Sequence, residues 1–195
     1  MKIRPVIAAV FGSYLFYKVW CLQYQDSLFD ALIFLGLAVF GFVFFIYTFP
    51  KDKSAYKVTK NRKSYLTTFI LIGLIVPSLL LGFKMHYDYT KPSLILANIK
   101  VDLGSLKMDL KKDGTFVFSN AFLIGATYTY GTYTILGDTV TLNQGQVDNV
   151  IHSNKMLLKE KEAEYKDGIH KELYLIDLGA TQNDYGNYKV IDDNR

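Results

Sequence analysis

Cysteine and catalytic motifs are nearly absent from this 195-residue sequence. The single cysteine, Cys21, cannot form an internal disulfide. The three histidines, His86, His152 and His170, are far apart in the chain and lack the spacing of metal ligands. No phosphate-binding glycine loop and no GxSxG or HExxH motif occurs. We therefore expect no metal site, no cofactor and no enzymatic activity.

Acidic residues are scarce in the first 83 residues, and this scarcity divides the chain into two parts. Residues 1–83 contain nine Lys or Arg and three Asp or Glu, whereas residues 84–195 contain thirteen and fifteen. Such a charge split indicates two parts that meet different solvents. The second part, of about 110 residues, is long enough to fold as one small domain.

Three long hydrophobic runs fill the first part. Phe29–Phe49 has one acid, Asp30, at its edge, and Tyr65–Phe83 has no charged residue. Both approach the roughly 20 residues that cross a bilayer core of about 30 Å. Pro5–Tyr24 is more polar and contains Lys18, so it is either a third span or a helix at the membrane surface. No small-x-small cleavage site follows it, so we expect it to be retained.

The charges between these runs predict an orientation. Six cations lie between the second and third runs, namely Lys51, Lys53, Lys57, Lys60, Arg62 and Lys63. Short cationic loops stay in the cytoplasm. If all three runs span, this pattern places the N-terminus and the basic loop inside and the C-terminal part outside.

Small residues within the runs would let helices approach closely. They are Ala8 and Gly12 in the first run and Gly36 and Gly41 in the second. Pro77 removes a helical hydrogen bond in the third run and is typical of a kink. Two interpretations remain open: three helices that pack within one chain, or subunits that pack around a pore gated near Pro77. Because no ionisable residue occurs at mid-depth, a carrier mechanism is disfavoured.

A different pattern begins at Leu94, where hydrophobic and polar residues alternate as they do in half-buried strands. Asp-Gly or Gly-Asp pairs at 113–114, 137–138 and 167–168 predict turns between the strands. The sequence thus predicts six to eight short antiparallel strands in a meander. A small closed or nearly closed barrel suits this pattern, because it leaves few strand edges exposed.

The predicted organisation is a membrane α-helical bundle of three spans, followed by a small all-β domain. Residues 1–83 form the bundle, with spans at about 5–24, 29–49 and 65–83. Residues 84–93 form a connector, and residues 94–180 form an antiparallel meander or β-barrel-like domain. Residues 181–195 form a polar tail that is frayed or loosely attached.

The tyrosines of the β domain have two interpretations. Tyr128 and Tyr130 share one face of a predicted strand, whereas Tyr133 points the other way. They either fill the barrel core or line a mouth where a flat ligand stacks, with Lys107 and Lys111 holding phosphates. The net charge of −2 on residues 84–195 argues against binding of long nucleic acid but not of a short nucleotide.

Three segments carry a resemblance to a known family. The stretch Leu110-Lys111-Lys112-Asp113-Gly114-Thr115-Phe116, then Tyr130-Gly131-Thr132-Tyr133 and Gly137-Asp138-Thr139-Val140-Thr141-Leu142, resembles small lipocalin-like barrels of bacteria. Behind N-terminal spans, this layout is similar to the minimal transmembrane β-barrel effectors of nucleotide-signalling anti-phage defence. The resemblance implies a multi-pass protein of the bacterial inner membrane. Its barrel would sense a nucleotide or short oligonucleotide made by a partner nucleotidyltransferase, and its spans would then permeabilise the membrane.

Two functions are compatible with these observations. The first is a homo-oligomeric, ligand-gated channel or pore among membrane lipids, controlled by a barrel that faces the cytosol. The second is a non-enzymatic, outward-facing binding or immunity protein with a membrane-anchored lipocalin-like domain. The loop charges favour an outward barrel and the resemblance implies a cytosolic one, so the sequence leaves the side of the membrane open.

Overall fold

The computed structural model describes residues 3–165, 168–180 and 186–195. The chain divides into two compact units, Met1–Tyr89 and Thr90–Arg195. The first unit is helical and the second is a β-barrel, which confirms the predicted fold class.

The helical unit contains three α-helices joined by short segments. They are α1 (Ile3–Leu22), α2 (Asp30–Thr59) and α3 (Leu66–Thr90), with a short strand β1 (Gln25–Ser27) after α1 and a 3₁₀ turn (Arg62–Tyr65) before α3. All three helices are long and apolar enough to cross a membrane. Large apolar side chains cover their outer surfaces and are exposed in the single chain, as expected of helices solvated by lipid.

Two of the predicted boundaries in this unit are wrong. The second helix continues through Pro50 to Thr59, so Lys51, Lys53 and Lys57 lie on α2 and not in a loop. Lys60 caps this helix: its backbone is left-handed, and its N–H donates a hydrogen bond to the carbonyl of Tyr56.

The third helix also extends past its predicted end. Residues 84–90, predicted to be a connector, belong to α3. Lys84 and Asp88 form an ion pair of 2.8 Å one helical turn apart, which supports this extension. Both errors have one cause, since hydropathy marks the apolar span and not the polar turns that continue the helix.

The second unit is a closed barrel of eight antiparallel strands. They are β2 (Ser93–Val101), β3 (Gly104–Lys111), β4 (Thr115–Phe122), β5 (Gly125–Leu136), β6 (Thr139–Leu142), β7 (Lys155–Tyr165), β8 (Gly168–Asp177) and β9 (Asn187–Asp193). Each strand pairs with the next along the chain, and β9 pairs with β2 to close the barrel. The predicted hairpin turn at Lys166-Asp167 lies outside the described residues.

The ninth strand corrects the predicted polar tail at 181–195. Asn187–Asp193 lies between β2 and β8, and Tyr188 points into the core and is fully buried. Without this strand, β2 and β8 would each present an unpaired edge, which is costly for a small sheet. Its alternation of apolar and polar residues is too short to recognise in the sequence, because only Tyr188 and Val190 face the core and the residues around them are mostly polar.

The barrel interior is packed with side chains. Its largest fully buried side chains are Tyr188, Phe116 and Phe118, and Met108 and Met156 are also fully buried. The rings of Phe118 and Tyr188 meet edge to face at a centroid distance of 6.4 Å. The loop 143–154 adds Val147 and Ile151 to this core. An eight-stranded barrel is just wide enough for its side chains to fill, which agrees with this packing.

Candidate functional site

The structure separates the five predicted ligand-binding residues of the barrel into two groups. Tyr133 and Lys111 are buried, whereas Lys107, Tyr128 and Tyr130 lie half-buried on the outer face of the wall. Strand pairing places Lys107 opposite Ser119, and Ser119 opposite Tyr128. Lys107 and Tyr128 are therefore about 10 Å apart, twice the spacing of neighbouring strands.

Tyr133 supports the barrel wall from inside. Its hydroxyl donates a hydrogen bond of 2.6 Å to the carbonyl of Lys111. Burial raises the pKa of this phenol, so the hydroxyl remains a donor. A side chain held in this way cannot also stack on a ligand at the barrel surface.

Lys111 is held in a similar way. Its ammonium group lies 2.8 Å from the Asp109 carboxylate and donates a hydrogen bond of 3.0 Å to the carbonyl of Lys91. Only 4% of the Lys111 side chain is exposed, so a phosphate could reach it only by displacing these partners. The remaining candidates for a ligand surface are Lys107, Tyr128 and Tyr130.

A loop at one end of the barrel contains a polar contact that the sequence did not reveal. The Asp148 carboxylate accepts hydrogen bonds of 2.8 Å from the Asn120 amide and from the Thr127 hydroxyl. Asp148 and Asn149 both have positive φ angles, near +52°, which Asp and Asn adopt more readily than most residues. These bonds fix loop 143–154 over the strands β4 and β5.

In the helical unit, the predicted small residues occupy different environments. Ala8 and Gly12 are buried, and a Cβ added to Gly12 would meet Leu74 of α3 at 2.6 Å. A Cβ on Gly41 would meet the ring of Phe11 at 3.0 Å. These glycines therefore lie where α1 packs closely against its two neighbours.

Gly36 and Pro77 do not take part in this packing. Apart from its chain neighbours and the adjoining backbone of its own helix, no atom of the described residues lies within 4 Å of a Cβ placed on Gly36. Pro77 lies inside α3 with an exposed ring, and the helix continues through it to Thr90. The next residue, Ser78, is buried and donates a hydrogen bond to the carbonyl of Leu74.

Two ion pairs join α1 to α2, and sequence reasoning missed both. Arg4 lies 3.3 Å from Asp52, and Lys18 lies 2.8 Å from Asp30. Asp30 also accepts a hydrogen bond of 2.8 Å from the backbone of Ser27. Along α2 the two acids are about 33 Å apart at 1.5 Å per residue, close to the thickness of a bilayer core.

The Asp52 pair also includes the third helix. The second oxygen of the Asp52 carboxylate accepts hydrogen bonds from the backbone N–H and the hydroxyl of Thr68, at 3.2 and 2.9 Å. Asp52 is 1% exposed, so its charge is compensated by these contacts and not by water. The three helices are thus tied together at one boundary of the bundle, near the basic residues that end α2.

Comparison with protein-family models, with characterised proteins and with solved structures finds no match for this chain. The functional conclusions therefore depend on its own residues and geometry.

Proposed function

We propose that this protein is an effector of the bacterial inner membrane, whose barrel senses a nucleotide signal in anti-phage defence and whose helices assemble into an oligomeric, ligand-gated pore. The membrane association of the helices and the presence of a small β-barrel are the two parts of this proposal that the fold supplies.

The observation that carries the proposal is the uncovered surface of the helical unit. Side chains such as Val10, Leu35, Phe42 and Leu80 are each at least 60% exposed in the single chain. Buried residues make up at most 22% of the apolar window of any one helix. Three helices that cover so little of one another leave most of their surface for lipid or for further copies of the chain.

The sensing surface of this proposal is the outer wall formed by β3, β4 and β5. Tyr128 and Tyr130 would stack on a base, and Lys107 would contact a phosphate. Stacking contributes about 1–3 kcal/mol per base, which is enough to shift an equilibrium between closed and open helices. The ligand achieves this only if it binds the two states with different affinity.

A second candidate follows from the charges at the end of α2. Lys51, Lys53 and Lys57 lie on the helix, and Lys60, Arg62 and Lys63 follow it, so the cations form one patch at this boundary. If this patch faces the cytoplasm, the barrel lies outside. The chain would then be a membrane-anchored binding or immunity protein.

The side of the membrane occupied by the barrel distinguishes the two candidates. We expect a green fluorescent protein fused after Arg195 to fluoresce and an alkaline phosphatase fused there to be inactive. Active phosphatase and a dark fluorescent protein would overturn the sensor proposal in favour of the second candidate.

Coexpression with a nucleotidyltransferase tests the pore itself. We expect loss of membrane potential only when the intact nucleotidyltransferase is present, and not with its inactive variant. Tyr128→Ala and Tyr130→Ala should abolish the response while the protein still folds. Thr134→Ala, on the same face of β5, is the matched control and should respond normally. Depolarisation that both tyrosine variants retain would contradict the proposed sensing surface.

A further inference from the structure

One end of the barrel has an apolar surface that the proposed function does not use. The turn between β2 and β3 and the turn between β4 and β5 meet at this end, because Gly104 at the start of β3 pairs with Phe122 at the end of β4. Leu103 lies in the first turn, and Leu123 and Ile124 form the second. The side chains of Leu103, Phe122, Leu123 and Ile124 are each more than half exposed. We call these four residues the apolar tip.

The residues of these two turns are unusual for their position. Each turn consists of two residues, Asp102–Leu103 and Leu123–Ile124. Two-residue turns between antiparallel strands favour Asn, Asp and Gly. The β3–β4 and β5–β6 turns at the other end of the barrel follow this preference with Asp113-Gly114 and Gly137-Asp138. Turn geometry therefore does not explain the leucine and isoleucine at 123 and 124, and a cluster of exposed apolar side chains is typical of a surface that something covers.

The size and shape of the apolar tip favour lipid over a protein partner. A stable protein–protein interface uses about 20–30 residues on each side and surrounds its apolar centre with a polar rim. The apolar tip has four residues on two protruding turns, and the exposed charges beside it, Lys100 and Asp102, are of opposite sign. A bilayer sets no such minimum area, because its chains adapt to protruding side chains that enter to a depth of about 5–10 Å.

The connection to α3 keeps the apolar tip within reach of a bilayer. This helix is long and apolar enough to cross a membrane, it ends at Thr90, and only Lys91 and Pro92 separate it from β2. From Phe83, the last residue of the apolar run, the chain can extend about 20 Å to Ser93, counting seven helical and three extended residues. The strand β2 is about 26 Å long, so its far end, where the tip lies, can reach back to the bilayer surface. A surface held this close meets lipid at a high effective concentration.

We propose that the apolar tip inserts into the bilayer that the helices cross and docks the barrel on lipid. The four side chains lie where headgroups meet acyl chains, and Lys100 and Asp102 remain among the headgroups. The driving force is the removal of apolar surface from water, so docking does not depend on the charge of the lipid. The proposal holds for either side of the membrane that the barrel occupies, and it is therefore independent of the proposed nucleotide sensing.

Fluorescence of a single labelled cysteine tests this insertion in the full-length protein. In a Cys21→Ser background, Leu123→Cys is labelled with an environment-sensitive dye and placed in nanodiscs of phosphatidylethanolamine and phosphatidylglycerol, whose two faces are both open to water. We expect blue-shifted emission, protection from iodide, and quenching by a phospholipid with a nitroxide near the top of its acyl chain. Leu136→Cys is the matched control, because Leu136 is an exposed leucine beside the turn at the other end of β5, and iodide alone should quench it. Equal access of iodide to the two positions would overturn the proposal.

Variants of one turn, read from the other, separate the apolar tip from the chemistry of the dye. With the dye at Leu103→Cys, the double change Leu123→Asn and Ile124→Asn should abolish quenching by the nitroxide lipid and restore quenching by iodide. Leu136→Asn is the control and should change neither signal. Hydrogen exchange of the strands shows whether each variant folds, and Leu123→Ser alone, with a smaller loss expected, replaces a double variant that does not. Nitroxide quenching that persists in a folded variant would contradict the docking surface.

A second copy of the chain is the alternative cover for the apolar tip, and single-copy nanodiscs exclude it. Quenching of the dye at Leu123→Cys by the nitroxide lipid should be the same in nanodiscs that hold one copy and in nanodiscs that hold several. Protection from iodide that appears only when several copies share a bilayer would show that the copies cover one another, and it would overturn docking on lipid.

Discussion

The Asp52 carboxylate on α2 lies 3.3 Å from the Arg4 guanidinium on α1, although 48 residues separate the two in the chain. Asp52 is buried, whereas about a third of the Arg4 side chain is exposed. The asymmetry means that losing Arg4 leaves a buried carboxylate with only the Thr68 hydrogen bonds to compensate its charge.

We therefore expect Arg4→Ala to destabilise the helical unit by about 2–3 kcal/mol, at or below the lower limit for a broken buried ion pair because Arg4 is partly exposed. Unfolding in mixed micelles of increasing dodecyl sulfate content, followed by helical circular dichroism, measures this change. Lys63→Ala removes an exposed cation beyond the end of α2 and should have little effect. If the two variants unfold alike, the Arg4–Asp52 pair does not stabilise the bundle.

The close approach of α1 and α3 at Gly12 gives a second prediction. Gly12→Val places a Cβ where Leu74 already lies, so the helices must separate. The expected cost is about 1–3 kcal/mol, as for other overpacked sites. Gly36→Val is the control, since no described atom would meet its Cβ, and it should be neutral in the same micelle titration. A neutral Gly12→Val would mean that this contact does not fix the helix spacing.

Two buried tyrosines of the barrel should respond differently to loss of the hydroxyl. Tyr133→Phe removes a hydrogen bond of 2.6 Å and leaves the Lys111 carbonyl with one acceptor site unfilled, at a cost of about 1–2 kcal/mol. The Tyr188 hydroxyl is buried without a hydrogen-bond partner among the described residues. Tyr188→Phe should therefore be neutral or stabilising.

Hydrogen exchange of the strands in the full-length protein, read by mass spectrometry, measures both changes against the wild type. Faster exchange across the barrel in Tyr133→Phe, and unchanged or slower exchange in Tyr188→Phe, is the expected pattern. The reverse order would show that Tyr188 has a polar partner that matters for stability.

The lowered pKa of the Asp113 carboxyl predicts that the stability of the barrel depends on pH. Hydrogen bonds from Thr115 and the ion pair with Lys91 lower the pKa of this carboxyl from 3.8 to about 2. A lowered pKa in the folded state stabilises the barrel above pH 3.8, and this contribution disappears as the pH falls to about 2. Asp113→Asn should therefore exchange faster than wild type at neutral pH, and the difference should vanish near pH 2.

Asp102→Asn provides the comparison for this pH series, because Asp102 is an exposed acid in the turn between β2 and β3. It should match the wild type throughout. A difference between wild type and Asp113→Asn that persists unchanged at pH 2 would rule out the carboxylate as its cause.

Hydropathy and alternation were sufficient to predict three helices and a closed or nearly closed antiparallel barrel, because both patterns record which face of an element is apolar. They did not predict β9, where Tyr188 and Val190 are the two inward residues of a polar segment. They also did not predict that α2 continues to Thr59, because charged residues fit a helix and a loop equally well.

The sites were harder to predict than the fold. Lys111 and Tyr133 resembled ligand-binding residues, but Lys111 pairs with Asp109 two positions away and Tyr133 bonds to a carbonyl on another strand. The Arg4–Asp52 and Lys18–Asp30 pairs depend on how helices meet in three dimensions. Charge counts record the number of such residues and not their partners.

The pairing of β2 with β9 also determines how late in synthesis the barrel can close. Leu96 of β2 can pair only after Asp192 of β9 has been synthesised, 96 residues later. A ribosome needs about 5–20 s to add that many residues at roughly 5–20 residues per second. The three helices emerge first, so they enter the bilayer before the barrel can close. During synthesis the growing sheet exposes the β2 edge to water, and the nascent protein is then most vulnerable to aggregation.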